Sequence, residues 1–140
     1  MNPPVAIIDT NVLVSGLISA DPQAAACRVV DGLLSGRFIF LLSPALLDEY
    51  RNVLLRPKIQ RLHGLNETEI DTLLTEIVAN AVWRDPPATI SAPDPGDNHL
   101  WDLLNSTKGS VLVTGDQRLL QNPPELASVM GLRSFVDRMK

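Results

Sequence analysis

Two aspartates follow short apolar segments that are typical of buried strands. Asp9 comes directly after the apolar run 5–8, and Asp116 comes shortly after the run 110–113. Consecutive apolar residues of this kind indicate parallel strands that are covered on both faces. Ligands bind outside the carboxyl ends of such strands, so we expect both aspartates at the functional edge of a sheet. Each aspartate could instead be a helix cap or a turn residue.

Two further acids are selected by helical phase. Glu49 lies at the edge of the apolar face of a predicted helix over 44–55, whereas its neighbour Asp48 points nearly the opposite way. Asp97 begins a predicted helix and shares the face of the leucines and tryptophan that follow, while Asp102 points away. An acid on an apolar face is costly to bury unless something pairs with it. The alternatives are a snorkelling surface position for Glu49 and a helix cap for Asp97.

Four acids that converge without basic neighbours require a cation. The nearest predicted counter-charge is Arg118. Ligands that are all oxygen favour Mg²⁺ or Mn²⁺ over zinc. Such an ion suits phosphodiester hydrolysis, because it lowers the pKa of a water molecule and shields the phosphate. We expect His63 and His99 to be surface residues because they lie in polar surroundings, and neither has a partner at metal-ligand spacing. The single cysteine, Cys27, excludes a disulfide framework and a thiolate zinc site.

Strand-like and helix-like segments alternate along the chain. The predicted strands are 5–8, 38–42, 82–84 and 110–113, with an edge strand in the tail from residue 126. The predicted helices are 11–18, 22–35, 44–55, 66–81, 97–107 and 116–120, with a last helix in the tail. The proline-rich segment 85–96 is predicted to be an exposed loop. This alternation predicts one α/β domain over residues 1–140 with a mostly parallel central sheet.

Composition limits the possible functions. The chain has 140 residues, of which 45% are hydrophobic and 20% are charged, as in a soluble globular domain. Its net charge of −4 disfavours nucleic-acid binding by bulk charge, and 4% aromatic residues leave no base-stacking platform. No apolar run approaches the roughly 20 residues of a membrane-spanning helix. The first residues lack a basic segment followed by an apolar one, so we expect no signal peptide and a cytoplasmic protein.

Four motifs in order resemble the PIN-domain family. They are Val5–Gly16, Leu46–Tyr50, Asp94–Asn98, and Leu112–Asp116 with Leu119-Leu120. The similarity is closest to the bacterial branch of toxins from toxin–antitoxin pairs, which is related to VapC-type toxins, and it extends over about residues 4–122. It implies a three-layer α/β/α fold with a mostly parallel sheet of about four to five strands. It also implies an acidic quartet that holds Mg²⁺ or Mn²⁺ and consists of Asp9, Glu49, Asp97 and Asp116.

The resemblance also carries expectations about activity and partners. It implies a metal-dependent endoribonuclease toxin that hydrolyses RNA, forms a homodimer and is blocked by a cognate antitoxin protein. Thr10 or Asn11, together with Thr114, match polar positions that support the metal or its waters. Many members of this branch have an acid where Gly96 stands, and Asp94 is the auxiliary carboxylate that could compensate.

Two other functions compete with the nuclease. One is a catalytically silent PIN-like module that binds RNA or protein. The other is a receiver-like phosphoacceptor domain, which also gathers acids at strand ends. A receiver needs a lysine after a late strand, and none of the chain's lysines, Lys58, Lys108 and Lys140, is well placed for that role.

Overall fold

The computed structural model describes residues 4–87, 95–121 and 128–139. The described strands are β1 (Ala6–Ile8), β2 (Leu41–Leu42), β3 (Val82–Trp83), β4 (Val111–Thr114) and β5 (Ser128–Gly131). The described helices are α1 (Thr10–Ile18), α2 (Ala25–Ser35), α3 (Pro44–Leu54), α4 (Pro57–His63), α5 (Glu67–Asn80), α6 (Asn98–Ser106), α7 (Gln117–Gln121) and α8 (Leu132–Arg138). A 3₁₀ turn over Pro95–Asp97 leads into α6.

All strand pairings in the described residues are parallel. β1 pairs with β4, β4 with β5, and β2 with β3. A parallel bridge between Ala6 and Phe40 links the two groups, beside a 2.9 Å hydrogen bond from the Ala6 amide to the Ile39 carbonyl. The described strands therefore form a three-stranded sheet in the order β1-β4-β5 and a two-stranded sheet of β2 and β3, which lies beside β1 through this bridge. This arrangement confirms the predicted α/β fold with a mostly parallel sheet.

The central position of β1 explains its sequence. Its three residues are fully buried, and so are Leu112 and Val113 of the neighbouring strand β4. A strand with a partner on each edge and helices packed against the sheet has no face for polar residues, which is why it reads as a continuous apolar run. The first polar residue after β1, Asp9, therefore stands where the sheet ends.

Local hydrogen bonds and backbone geometry explain several helix boundaries. Ser43 Oγ accepts a 3.1 Å hydrogen bond from the amide of the third residue of α3. Asn66 and Glu69 form a complete capping box at the start of α5, because each side chain accepts from the other residue's amide. α2 ends at Gly36, whose φ of 73° is a left-handed conformation that glycine adopts without strain.

One helical prediction is wrong, and one helix was not predicted. α2 begins at Ala25 rather than at residue 22, because the Asp21 carboxylate accepts a 2.9 Å hydrogen bond from the Gln23 amide and forms a local turn. The helix predicted over 44–55 is confirmed as α3, but the next helix, α4, which begins at Pro57, was not predicted. Proline suits the first position of a helix, where its missing N–H would have no partner inside the helix.

Two helices begin at the carboxyl ends of β1 and β4. α1 starts directly after β1 and packs against β4, α2 and α3. α6 packs against β1, β4 and α3, so that its first turn reaches the same edge of the sheet. None of the described helices has the length and apolarity needed to cross a bilayer.

Candidate metal centre

A cavity of about 450 Å³ opens at the carboxyl ends of β1 and β4. All four predicted acids line it: Asp9 follows β1, Asp116 follows β4, Glu49 comes from α3, and Asp97 stands at the start of α6. The other lining residues are Thr10, Asn11, Val14, Ser15, Val53 and Arg56. Carboxylates that are up to 107 positions apart in the sequence therefore meet in one place, as strand-end placement and helical phase predicted.

Asp9 is the most enclosed of the four acids, with 8% of its surface exposed. Its Oδ1 accepts a 2.8 Å hydrogen bond from the Thr10 amide at the start of α1, and its Oδ2 accepts a 2.7 Å bond from the Thr114 hydroxyl. Burial raises the pKa of Asp9, the two hydrogen bonds oppose that rise, and the charges of Glu49 and Asp97 add to it. Asp9 is thus both a helix cap and a member of the acidic cavity.

Thr114 and Asn11 tie the ends of the two central strands together. The Thr114 hydroxyl donates to Asp9, and it accepts from Asn11 Nδ2 at 3.3 Å and from the Asp116 amide at 3.0 Å. A hydroxyl has one donor and two acceptor sites, so this group is saturated. Asn11 Nδ2 also lies 3.3 Å from Asp9 Oδ2, while Asn11 Oδ1 accepts from the Gly115 amide at 3.1 Å. Both side chains therefore hold the acids in position.

Glu49 is half-buried and has two side-chain partners. The Thr10 hydroxyl donates to Oε2, and His99 Nε2 lies 3.4 Å from Oε1. The hydrogen bond from His99 holds the pKa of Glu49 below its usual value against the effect of burial. The hydrogen bond from Thr10 and the charges of His99 and Arg56 lower it further. Glu49 therefore lies in the wall of the cavity and not at a snorkelling surface position.

The prediction that both histidines are surface residues is wrong. The His99 side chain is 19% exposed, and its Nδ1 is buried without a hydrogen-bond partner among the described residues. His63 is also partly buried, where Nδ1 accepts from the Leu65 amide at 3.0 Å and Nε2 lies 2.9 Å from the Leu54 carbonyl. His63 thereby joins the ends of α3 and α4, whereas His99 belongs to the surroundings of the acids.

Asp97 and Asp116 complete the acidic lining and are both partly buried. Asp97 occupies the N-cap position of α6, but its side chain makes no capping hydrogen bond to that helix. Asp116 is positioned through its backbone, because its amide donates to the Thr114 hydroxyl and its carbonyl accepts from the Leu120 amide. Both aspartates thus line the cavity, and Asp97 does so without capping α6.

The prediction that Asp102 points to solvent is wrong. Asp102 is 7% exposed, and every residue from Leu100 to Leu104 is buried. A helix covered on all sides has no outward face, so the position of one apolar stripe cannot identify an exposed residue. Asp102 lines a second cavity of about 350 Å³, next to His99. Asp48, which was also predicted to point away, is exposed.

Among the residues of this cavity is one basic side chain of the described structure, Arg56, which was not predicted. Arg56 lines the cavity and contributes to the lowered pKa of Glu49. The predicted counter-charge, Arg118, lies in α7, and its side chain falls outside the described part of the structure. The possible auxiliary acid Asp94 also lies outside the described residues. The sequence does contain a local signal for the position of Arg56. Pro57 can start a new helix, which places Arg56 at the junction between α3 and α4.

Comparison with known families identifies the fold. A family model described as the PIN domain matches residues 5–118. The chain belongs to the PIN-domain family. PIN domains are usually metal-dependent nucleases, typically with Mg²⁺ or Mn²⁺. Searches of curated proteins and of solved structures gave no significant match.

The acids of this PIN domain fit a hard divalent cation in their donor chemistry. Carboxylate oxygens in an open polar cavity are the ligands that Mg²⁺ and Mn²⁺ prefer. The repulsion that Glu49 and Asp97 exert on Asp9 is also what a cation would relieve. Among the described residues, however, no three acidic, histidine or cysteine side chains are grouped closely enough to hold one ion. Glu49, for example, is engaged with Thr10 and His99 instead.

Proposed function

We propose that this PIN domain is a metal-dependent endoribonuclease that uses Asp9, Glu49, Asp97 and Asp116 to bind Mg²⁺ or Mn²⁺. The observation that carries the proposal is the shared cavity at the sheet edge, which all four carboxylates line. The general nuclease activity of PIN domains supports it. One domain over residues 1–140 would contain the whole site.

The chain's own residues would orient the acids during hydrolysis. Thr114 and the Thr10 amide fix the two oxygens of Asp9, so that this carboxylate does not reorganise when substrate binds. The Thr10 hydroxyl and His99 hold Glu49 in the same way. A bound cation supplies activation of water and shielding of the phosphate charge. With water as nucleophile and the 3′ oxygen as leaving group, we expect products with 5′-phosphate and 3′-hydroxyl ends.

Cleavage of RNA by matched aspartate variants tests the nuclease. Asp9→Asn and Asp116→Asn should each reduce Mn²⁺-dependent cleavage by on the order of 100-fold or more, as removal of a preorganised charged group does. Asp48→Asn removes the same charge from an exposed position of α3 and should leave cleavage unchanged. Asp102→Asn is not a suitable control because Asp102 is buried. Equal losses for Asp9→Asn and Asp48→Asn would refute the assignment.

A catalytically silent PIN module that binds RNA is the second candidate. The absence of a close three-ligand group among the described residues favours it. The two candidates differ in one measurement: a silent module would bind RNA with unchanged affinity when Mn²⁺ is added and would release no fragments. Cleavage that requires Mn²⁺ and is lost on chelation would exclude this alternative.

We further propose that the protein is the cytoplasmic toxin of a toxin–antitoxin pair and forms a homodimer. The resemblance of its motifs to VapC-type toxins supports this role, and PIN nucleases often pair with antitoxins. A basic side chain from an antitoxin peptide would complement the four carboxylates of the cavity by charge-assisted hydrogen bonds. RNA substrates and such a partner would be met in the cytoplasm.

Co-expression tests the toxin role separately from the chemistry. The partner to use is the product of any small antitoxin-like reading frame that lies beside the gene. We expect a stable complex, relief of growth inhibition, and a dimeric mass for the isolated protein in light scattering. If no complex forms and growth is not relieved, the toxin role is wrong, while Mn²⁺-dependent cleavage would still support the nuclease.

A further inference from the structure

We propose that Arg56 binds a phosphate of the RNA substrate and holds it beside the acids. The proposal rests on the nuclease function proposed above and assigns a substrate-binding residue to the same site. It starts from one observation: a cavity lined by four carboxylates also has an arginine in its wall.

The backbone of Arg56 is fixed on both sides. Its amide donates to the Val53 carbonyl at 3.1 Å, and its carbonyl accepts from the Gln60 amide at 2.8 Å. Pro57 restricts the preceding residue to extended conformations, and Arg56 has φ −60° and ψ 128°. The Cα position is therefore set by the junction of α3 and α4, while the side chain remains exposed to incoming ligands.

The guanidinium of Arg56 is close to the acids but not paired with them. Within the described part of the chain it forms no ion pair within 4 Å, although it is near enough to lower the pKa of Glu49. Arg51, five residues earlier in α3, differs in this respect, because it forms ion pairs with Glu67 at 2.9 Å and with Asp71 at 3.0 Å. The donors of Arg51 are used within the protein, whereas those of Arg56 are available.

The chemistry of the cavity favours a phosphate as the partner of these donors. Guanidinium groups match phosphate oxygens with two parallel hydrogen bonds. Four carboxylates repel an approaching polyanion, and a protein with net charge −4 has no general attraction for RNA. A cation in the wall would lower this repulsion locally and would select the orientation in which a phosphodiester lies next to the acids. Arg56 is thus inferred to be a binding residue for substrate.

Steady-state kinetics on a short single-stranded RNA at saturating Mn²⁺ tests the proposal. Arg56→Gln should raise KM about tenfold or more, the loss expected for a hydrogen bond to a charged group, and should change kcat little. The logarithmic salt dependence of kcat/KM should become shallower by about 0.7, the value for one phosphate contact on a single strand. Arg56→Lys should recover part of the loss, because lysine keeps the charge but not the paired donors.

Arg61→Gln is the matched control. Arg61 is exposed, lies on α4 and does not line the cavity, so its removal changes the net charge equally without touching the site. We expect its KM to stay within about twofold of the wild-type value. A further test replaces single RNA linkages, each beside a 2′-O-methyl ribose, by neutral methylphosphonates. At the linkage that Arg56 contacts, Arg56→Gln should cause no additional loss.

The possible results separate the two proposals. If Arg56→Gln and Arg61→Gln have the same KM, or if Arg56→Gln lowers only the melting temperature, Arg56 is a counter-charge for the acids and the inference is wrong. If the wild type cuts no RNA, fluorescence anisotropy with the same RNA decides. Binding weakened by Arg56→Gln alone would then support the inference and reject the nuclease, and binding unaffected by it, or no binding, would reject both.

Discussion

Replacement of Asp97 by asparagine distinguishes a metal ligand from a helix cap. A capping side chain is worth about 1 kcal/mol, but Asp97 makes no capping hydrogen bond to α6. Its charge near the helix N-terminus contributes about 0.3–1 kcal/mol. Loss of that contribution is offset because the same charge helps to raise the pKa of Asp9 by repulsion. We therefore expect Asp97→Asn to change the free energy of unfolding of the metal-free protein by less than about 1 kcal/mol.

The wild type and Asp97→Asn should differ far more in the stabilisation that each gains from bound metal. An ion that binds only the folded state stabilises it by about 2.7 kcal/mol when its concentration is 100 times the dissociation constant. For a chain of this size each kcal/mol corresponds to roughly 3–5 °C, so the wild-type melting temperature should rise by about 10 °C. If Asp97→Asn weakens binding about tenfold, the same concentration gives about 1.4 kcal/mol and roughly half that rise.

Calorimetry or dye-monitored melting with and without Mn²⁺ measures both quantities. Asp48→Asn, which removes a carboxylate from the exposed side of α3, should keep the full metal-induced rise. The reasoning is refuted if Asp97→Asn destabilises the metal-free protein by more than about 1 kcal/mol and still shows the wild-type rise. Asp97 would then stabilise the helix and would not bind the ion.

Three further predictions concern pH, packing and a buried hydrogen bond. Because its pKa is lowered, ionised Glu49 stabilises the fold above its ordinary pKa of 4.5, and this stability is lost as pH falls through the lowered value. The wild type should therefore lose more stability than Glu49→Gln in that acidic range, measured by urea unfolding. Gly16→Ala should cost about 1–3 kcal/mol, because its Cβ would lie 2.5 Å from an α2 side chain. Tyr50→Phe should cost about 1–2 kcal/mol, since its buried hydroxyl donates to the last carbonyl of β1.

Each of these predictions has its own control. If the free energy of unfolding falls equally with decreasing pH in the wild type and in Glu49→Gln, the partners of Glu49 do not stabilise its ionised form in the folded state. Gly131→Ala is the comparison for Gly16→Ala, because its nearest neighbour would be 3.8 Å away, and equal stability of the two variants would contradict the packing argument. A Tyr50→Phe protein as stable as the wild type would mean that the carbonyl finds another partner.

The acids were predictable because the elements that carry them have simple surroundings. β1 is buried on both faces, so its apolar run ends visibly at Asp9. α3 has one buried stripe, formed by Leu46, Tyr50 and Leu54, so helical phase places Glu49 correctly at its edge. In both elements, the residues that are buried in the structure are the ones that the apolar pattern of the sequence predicts to be buried.

Two of the three missed residues, Asp102 and His99, depend on contacts between segments that are distant in the sequence. α6 is covered on all sides, so a single apolar stripe could not show that Asp102 is buried. His99 meets Glu49 across 50 positions of sequence, and its polar neighbours suggested a surface position. Arg56 was missed because Pro57 was interpreted as the end of one helix, whereas it also begins the next. The errors at Asp102 and His99 are therefore tertiary effects, whereas the error at Arg56 came from a local signal that has two interpretations.

The hydrogen bond between Thr114 and Asp9 has a consequence for how the protein is made. The two residues are 105 positions apart, and β1 gains its partner β4 through the same late segment. At roughly 5–20 residues per second, a ribosome needs about 5–20 s to go from one to the other. During that time the growing chain contains Asp9 but neither Asp116 nor Thr114, whose hydroxyl orients Asp9 in the folded protein. As the proposed nuclease, the protein would therefore stay inert beside the messenger and the ribosome that make it, and a partner that recognises the assembled acids would find them only on the finished chain.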